Sequence, residues 1–133
     1  MPVFGPPSAI VVGEPAETVA RTSTPWLIVL LHEHFHQLQN SRPGYFEAVE
    51  NMGLTRGDTS GMWMLNYPFP YGSPEIAEEF KSLGKLLLAS LAAADAQAAA
   101  RKYARERERF MSRLSADDRK YLGFQIWQEG IAH

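Results

Sequence analysis

The segment LLHEHFHQLQ, residues 30–39, constrains this chain more than any other stretch. It sets three of the four histidines within five residues and encloses a glutamate in an otherwise apolar sequence. Upstream, TSTPWLIVLL supplies Thr24 as a helix N-cap and Pro25 at the first helical position, which predicts a helix running through the cluster. PWLIVLL is apolar all round, which predicts that this helix is central and buried. Ionisable groups on a buried helix are costly unless they are paired, hydrogen-bonded or metal-bound.

His32, Glu33 and His36 fit the pattern H-E-x-x-H. On a helix, residues four apart project from the same side, so both imidazoles can reach one ion. Glu33 falls roughly 60° to 100° around the helix from them. That is poorly placed for a third ligand and well placed for a general base acting on a nearby water. His34 shares helical spacing with Leu27, Leu30, Leu31 and Leu38, faces away from the pair, and is expected to be partly buried and bonded to a backbone carbonyl.

Cysteine is absent, so any metal must rest on histidine and carboxylate ligands. A catalytic zinc needs three protein ligands and one open position. Only His133 remains among the histidines, and the other candidates are carboxylates. IWQEGIAH stands out because Glu129 precedes Gly130 on a predicted helix, and a glycine there is expected to let two helices approach. Glu75, Glu78, Glu79, Glu106 and Glu108 sit among other charges on predicted solvated faces.

The first two dozen residues are rich in proline and glycine, with extended candidates at residues 9–12 and 18–22, which predict a short hairpin or edge strand. A short helix is predicted over residues 44–52, opened by Pro43 and stopped by Gly53. LTRGDTSGMWMLNYPFPYGSP reads as a long aromatic loop. Ser73 and Pro74 open a helical pattern through Ile76, Phe80, Leu83, Leu87 and Leu91, continued by Tyr103, Phe110 and Leu114 as a second helix or a bend of the first. SADD at residues 115–118 has the form of a capping box opening a last helix, with Gly123 as a possible interruption. No repeat or long linker divides the chain.

HEHFH together with WQEGIA resembles the zincin metallopeptidases whose third ligand is glutamate, the gluzincins. The second motif is similar to the W-x-x-E-G-x-A helix of the aminopeptidase families, with one residue fewer between Trp127 and Glu129. The resemblance covers about a dozen of the 133 residues. It implies His32, His36 and Glu129 as zinc ligands and Glu33 as general base in the hydrolysis of a peptide or protein substrate. It also implies a mainly α, zincin-like domain over residues 1–133 with a small β element near the N-terminus. Related enzymes continue where this chain stops, so the domain is expected to be incomplete at its C-terminus. Tyr45, Tyr67 and Tyr71 are candidate transition-state or substrate contacts, and the aromatic loop is a candidate cleft wall or core cap.

The net charge of −2 gives no global electrostatic case for nucleic acid. RKYARERERFMSR is basic, but its charges alternate in sign at helical spacing, with Lys102–Glu106 and Arg105–Glu108 as expected pairs on a solvated face. The longest apolar run, residues 26–31, is too short to span a membrane. Two other readings share the cluster. A ferritin-like di-iron site needs a second Glu-x-x-His pair that the sequence lacks, and a catalytically silent helical metal-binding or protein-interaction domain needs only the ligands.

Overall fold

A computed structural model describes residues 2–3, 9–10, 12–18 and 21–130. Six helices dominate them: α1 (Ser23–Asn40), α2 (Tyr45–Asn51), α3 (Trp63–Asn66), α4 (Pro74–Leu91), α5 (Ala96–Arg113) and α6 (Ala116–Gly130). The fold is mainly α, and no helix is long and apolar enough to cross a membrane among the described residues. The β element expected near the N-terminus does not amount to one. Pro2–Val3 and Ala9–Ile10 meet in a two-residue antiparallel pairing, and proline, lacking an N–H, cannot extend a ladder. The second extended candidate holds no strand among its described residues, because Thr18 closes a short 3₁₀ turn over Pro15–Glu17 and Thr22 caps α1. Val19 and Ala20 lie outside the described residues.

Local signals place most helix ends. Ser73 caps α4, accepting from the Ile76 N–H at 3.5 Å, with Pro74 in the first turn. Asp95 caps α5, accepting from the Ala98 N–H at 2.9 Å, which separates α4 and α5 into two helices. At the start of α6, Ser115 Oγ accepts from the Asp118 N–H at 3.1 Å and donates to the Asp118 carboxylate at 2.7 Å, completing the predicted capping device. Gly123 does not interrupt α6. α1 begins earlier than predicted, with Thr22 rather than Thr24 at the cap. Gly53, at φ 72°, adopts the left-handed conformation that ends α2, and its N–H bonds to the Glu50 carbonyl at 2.9 Å.

The chain forms two compact units, Met1–Tyr67 with Leu122–His133 and Pro68–Tyr121. In the second, Phe80 packs edge-on against Phe110 at 5.5 Å, and Phe69 lies 5.7 Å from Tyr121. Arg113 bonds Glu79, and this carboxylate raises the guanidinium pKa. Arg109 pairs with Glu106 at 2.7 Å in place of the predicted pairs on this helix. In the first unit, Trp63 stacks near Phe124 at 5.4 Å. Asp58 holds the approach to Trp63 by accepting from the Ser60 N–H at 2.7 Å and the Trp63 N–H at 2.6 Å. Those bonds, the Ser60 hydroxyl foremost, lower the Asp58 pKa. The predicted aromatic loop is therefore partly helical, and its Trp63 and Phe69 are core residues of separate units.

α1 overturns the expectation of a buried apolar helix. Leu27, Ile28, Leu31 and Leu38 are 50 to 61% exposed, whereas His36 and Gln39 are 6% and 3% exposed. Burial follows the face that meets α2 and α6, and on α1 that face is polar. Replacing the α5 cap, Asp95→Ala, is expected to lower unfolding free energy by about 1 kcal/mol in chemical denaturation.

Candidate metal centre

The helical period sets His32 and His36 on one side of α1, with ring centroids 4.5 Å apart and planes at 88°. Their Nε2 atoms are 3.0 Å apart. Glu129, from the last described turn of α6, brings its Oε2 to 3.3 Å from His32 Nε2 and 3.4 Å from His36 Nε2. These separations are longer than a direct charge-assisted hydrogen bond of about 2.7–2.9 Å. They match the edge of a tetrahedron, about 3.3 Å, drawn by donors at ordinary zinc distances of about 2.0–2.1 Å. Two imidazoles and one carboxylate are also a donor set that zinc accepts. The residues therefore fit the ion that the sequence motif implies. Among the described residues, no second group of this kind is present, and a di-iron site has no counterpart for its other half.

Burial across the cluster is graded. The His36 side chain is 8% exposed, His32 16% and Glu129 49%, so the group is anchored on one side and open to solvent on the other. Glu33 occupies the next position on α1 after His32 and is half-buried. His34 is exposed, and its Nδ1 lies 3.0 Å from Gln37 Oε1. This replaces the partly buried, carbonyl-bonded histidine expected from the sequence, because its face of α1 is solvent-facing.

Gln39 is the residue that motif reading missed. Its amide nitrogen donates to two successive carbonyls of α6, Trp127 at 3.2 Å and Gln128 at 3.1 Å. With the nitrogen so committed, Oε1 must face His36, and it lies 2.8 Å from Nδ1. A proton on Nδ1 makes this contact a hydrogen bond and leaves the Nε2 lone pair toward His32 and Glu129. The Gln128 amide nitrogen lies 3.1 Å from the same Nδ1. The signal was present as H-x-x-Q, since residues three apart share a helix face. Without knowing that α6 packs there, nothing distinguished Gln39 from a surface glutamine.

Tyr45, the first residue of α2, donates its hydroxyl hydrogen to Gln128 Oε1 at 3.2 Å. Burial, and then the nearby Glu129 carboxylate, push the Tyr45 pKa up to about 12, so the hydroxyl keeps its proton. Tyr67 follows α3, its N–H bonded to the Trp63 carbonyl at 2.9 Å. Tyr71 belongs to the other unit, is 54% exposed and packs on Phe69. Tyr45 thus bonds Gln128, whose amide nitrogen lies 3.1 Å from His36 Nδ1. Gly130 does not provide the close helix approach expected of it among the described residues, where a Cβ there would meet Ile126 of its own helix at 3.8 Å. The approach of α6 to α1 depends instead on the Gln39 amide.

No protein-family profile, curated protein or solved structure matches the chain.

Replacing the amide, Gln39→Leu, is expected to weaken zinc affinity roughly ten- to a hundred-fold, read by competition with a chromophoric chelator. Tyr45 contributes stability that is fully present below its unfolded pKa of about 10 and is lost as pH rises through about 12. In chelator-treated protein, the melting temperature of wild type is therefore expected to fall further between pH 10 and pH 12 than that of Tyr45→Phe.

Proposed function

We propose that this chain carries the catalytic core of a zinc-dependent peptidase of the gluzincin kind, with His32, His36 and Glu129 as metal ligands. The observation that carries the reading is the meeting of three ligand atoms, from α1 and α6, at separations of 3.0 to 3.4 Å. The solvent-open side of the cluster adds support, because hydrolysis needs a position for water and substrate.

Zinc, when bound, supplies Lewis acidity that brings a coordinated water toward a pKa of about 7 and polarises the substrate carbonyl. The protein supplies the rest. Gln39 keeps the His36 proton on Nδ1, so that Nε2 stays a ligand lone pair. Tyr45, protonated at any physiological pH, holds Gln128 beside His36 and so fixes the segment that precedes Glu129. Glu33, next on α1 after the first ligand, takes the proton of the attacking water and delivers it to the leaving amine nitrogen. The scissile C–N bond then breaks with the amine leaving neutral.

The test is a metal analysis combined with hydrolysis of a casein and peptide panel. Wild type is expected to bind one zinc and cleave. Glu33→Gln is expected to retain zinc and lose roughly 10²- to 10⁴-fold in kcat, and Glu129→Ala to lose zinc affinity. Zinc binding without hydrolysis overturns the peptidase reading in favour of the silent metal-binding module. Absence of zinc binding overturns both.

A further inference from the structure

The first unit holds a groove of about 370 Å³ between α2 and α6. Its volume lies in the range of small-molecule sites. Tyr45, Ala48, Val49 and Met52 recur along α2 at the spacing of one helix face and form one wall, while Phe124 and Trp127, three apart on α6, form the other. The acidic residues of α2, Glu47 and Glu50, occupy other positions of the helix and take no part in this lining. Arg42, in the turn between α1 and α2, does take part, and it is the one lining residue with a formal charge at neutral pH.

The aromatic walls are formed in advance. Tyr45 and Trp127 lie with ring centroids 6.1 Å apart and planes at 34°, and Phe124 and Trp127 at 6.3 Å and 42°. Both α6 and α2 are tied behind them, since the Tyr45 hydroxyl donates to Gln128 and the Trp127 carbonyl accepts from Gln39. A ligand entering the groove therefore spends little on ordering its walls. The backbone of Arg42 is fixed as well: its N–H bonds the Gln39 carbonyl at 3.2 Å, and its carbonyl accepts from the Tyr45 N–H at 3.1 Å. Its side chain is different. It is exposed, and among the described residues its guanidinium has no hydrogen bond or ion pair. The root of a long cationic side chain is thus held at the groove while its head is uncommitted.

The groove is also distinct from the metal centre. Gln128 and Gln39 stand between them on the Nδ1 edge of His36, whereas the three ligand atoms meet at Nε2. A molecule in the groove is therefore not presented to the cluster.

We infer that this groove is a binding site for a small aromatic carboxylate, separate from the reacting centre, with the ring between Tyr45, Phe124 and Trp127 and the carboxylate on the Arg42 guanidinium. This goes beyond the peptidase reading and does not rest on it. The planar guanidinium fork matches a carboxylate in two parallel hydrogen bonds. Ring faces and edges on three sides favour a flat aromatic body over an alkyl chain of equal area, and a cationic ligand would meet Arg42 with like charge.

The experiment is an NMR titration of the full chain with 4-ethylbenzoate, with its neutral counterpart 4-ethylbenzamide and with hexanoate, on wild type, Arg42→Gln and the groove-filling variant Ala48→Phe, each checked for native circular dichroism. In wild type, 4-ethylbenzoate is expected to shift the Val49, Met52 and Trp127 resonances at concentrations roughly five- to ten-fold below those needed by either of the other two. Arg42→Gln is expected to bring the benzoate down to the level of the benzamide, and Ala48→Phe to abolish the shifts. Benzamide or hexanoate binding as tightly as the benzoate overturns the proposal, as does a preference for the benzoate that survives Arg42→Gln. Shifts confined to His32 and His36, or groove shifts unchanged in Ala48→Phe, also overturn it, because they place the carboxylate elsewhere. Should Ala48→Phe fail the folding check, Val49→Phe takes its place with the same criteria.

Discussion

The Gln39 amide is the interaction on which the rest of the first unit depends. A single buried side chain spends its nitrogen on two backbone carbonyls of α6 and its oxygen on the His36 ring. The same group therefore touches both the helix that brings the carboxylate and the ring that meets it. Buried polar networks of this kind are costly when incomplete and rigid when every member is satisfied. Tyr45 donates to Gln128 and so links α2 to α6, and with the Gln39 bonds all three helices of the site are joined by hydrogen bonds rather than by apolar packing alone.

That network explains an inversion in α1. Hydrophobic residues on a helix ordinarily identify its inner face, yet Leu27, Ile28, Leu31 and Leu38 lie outward while His36 and Gln39 are buried. The face is chosen by the partners that α6 and α2 present, and those partners offer carbonyls, an amide and a hydroxyl. An apolar side chain at position 39 would take its hydrogen bonds from the Trp127 and Gln128 carbonyls and from the His36 ring.

This is also why the sequence was legible in some places and not in others. Helix ends set by local chemistry, at Ser73, Asp118 with Ser115, and Gly53, could be read because the cap and its target are within a few residues of one another. The spacing of His32 and His36 could be read for the same reason, while the meeting of Glu129 with them was an expectation taken from the resemblance of its flanking residues. Which face of α1 is inside could not be read, since it depends on contacts nearly ninety positions away, as the Gln39 to Trp127 bond demonstrates. The N-terminal pairing joins only Pro2–Val3 to Ala9–Ile10 among the described residues, less than the extended runs in the sequence suggested.

Glu129 lies on the last described turn of α6, while its two partners lie on α1. A cation held by all three would act as a detachable staple between distant parts of the chain, closing a long loop in the way a disulfide does, but reversibly. Loading such a staple would stabilise the folded state by mass action as well as supplying chemistry. Resistance to heat and possession of the ion would then be two readouts of one equilibrium, and a chelator would act on this protein as a denaturant acts on others.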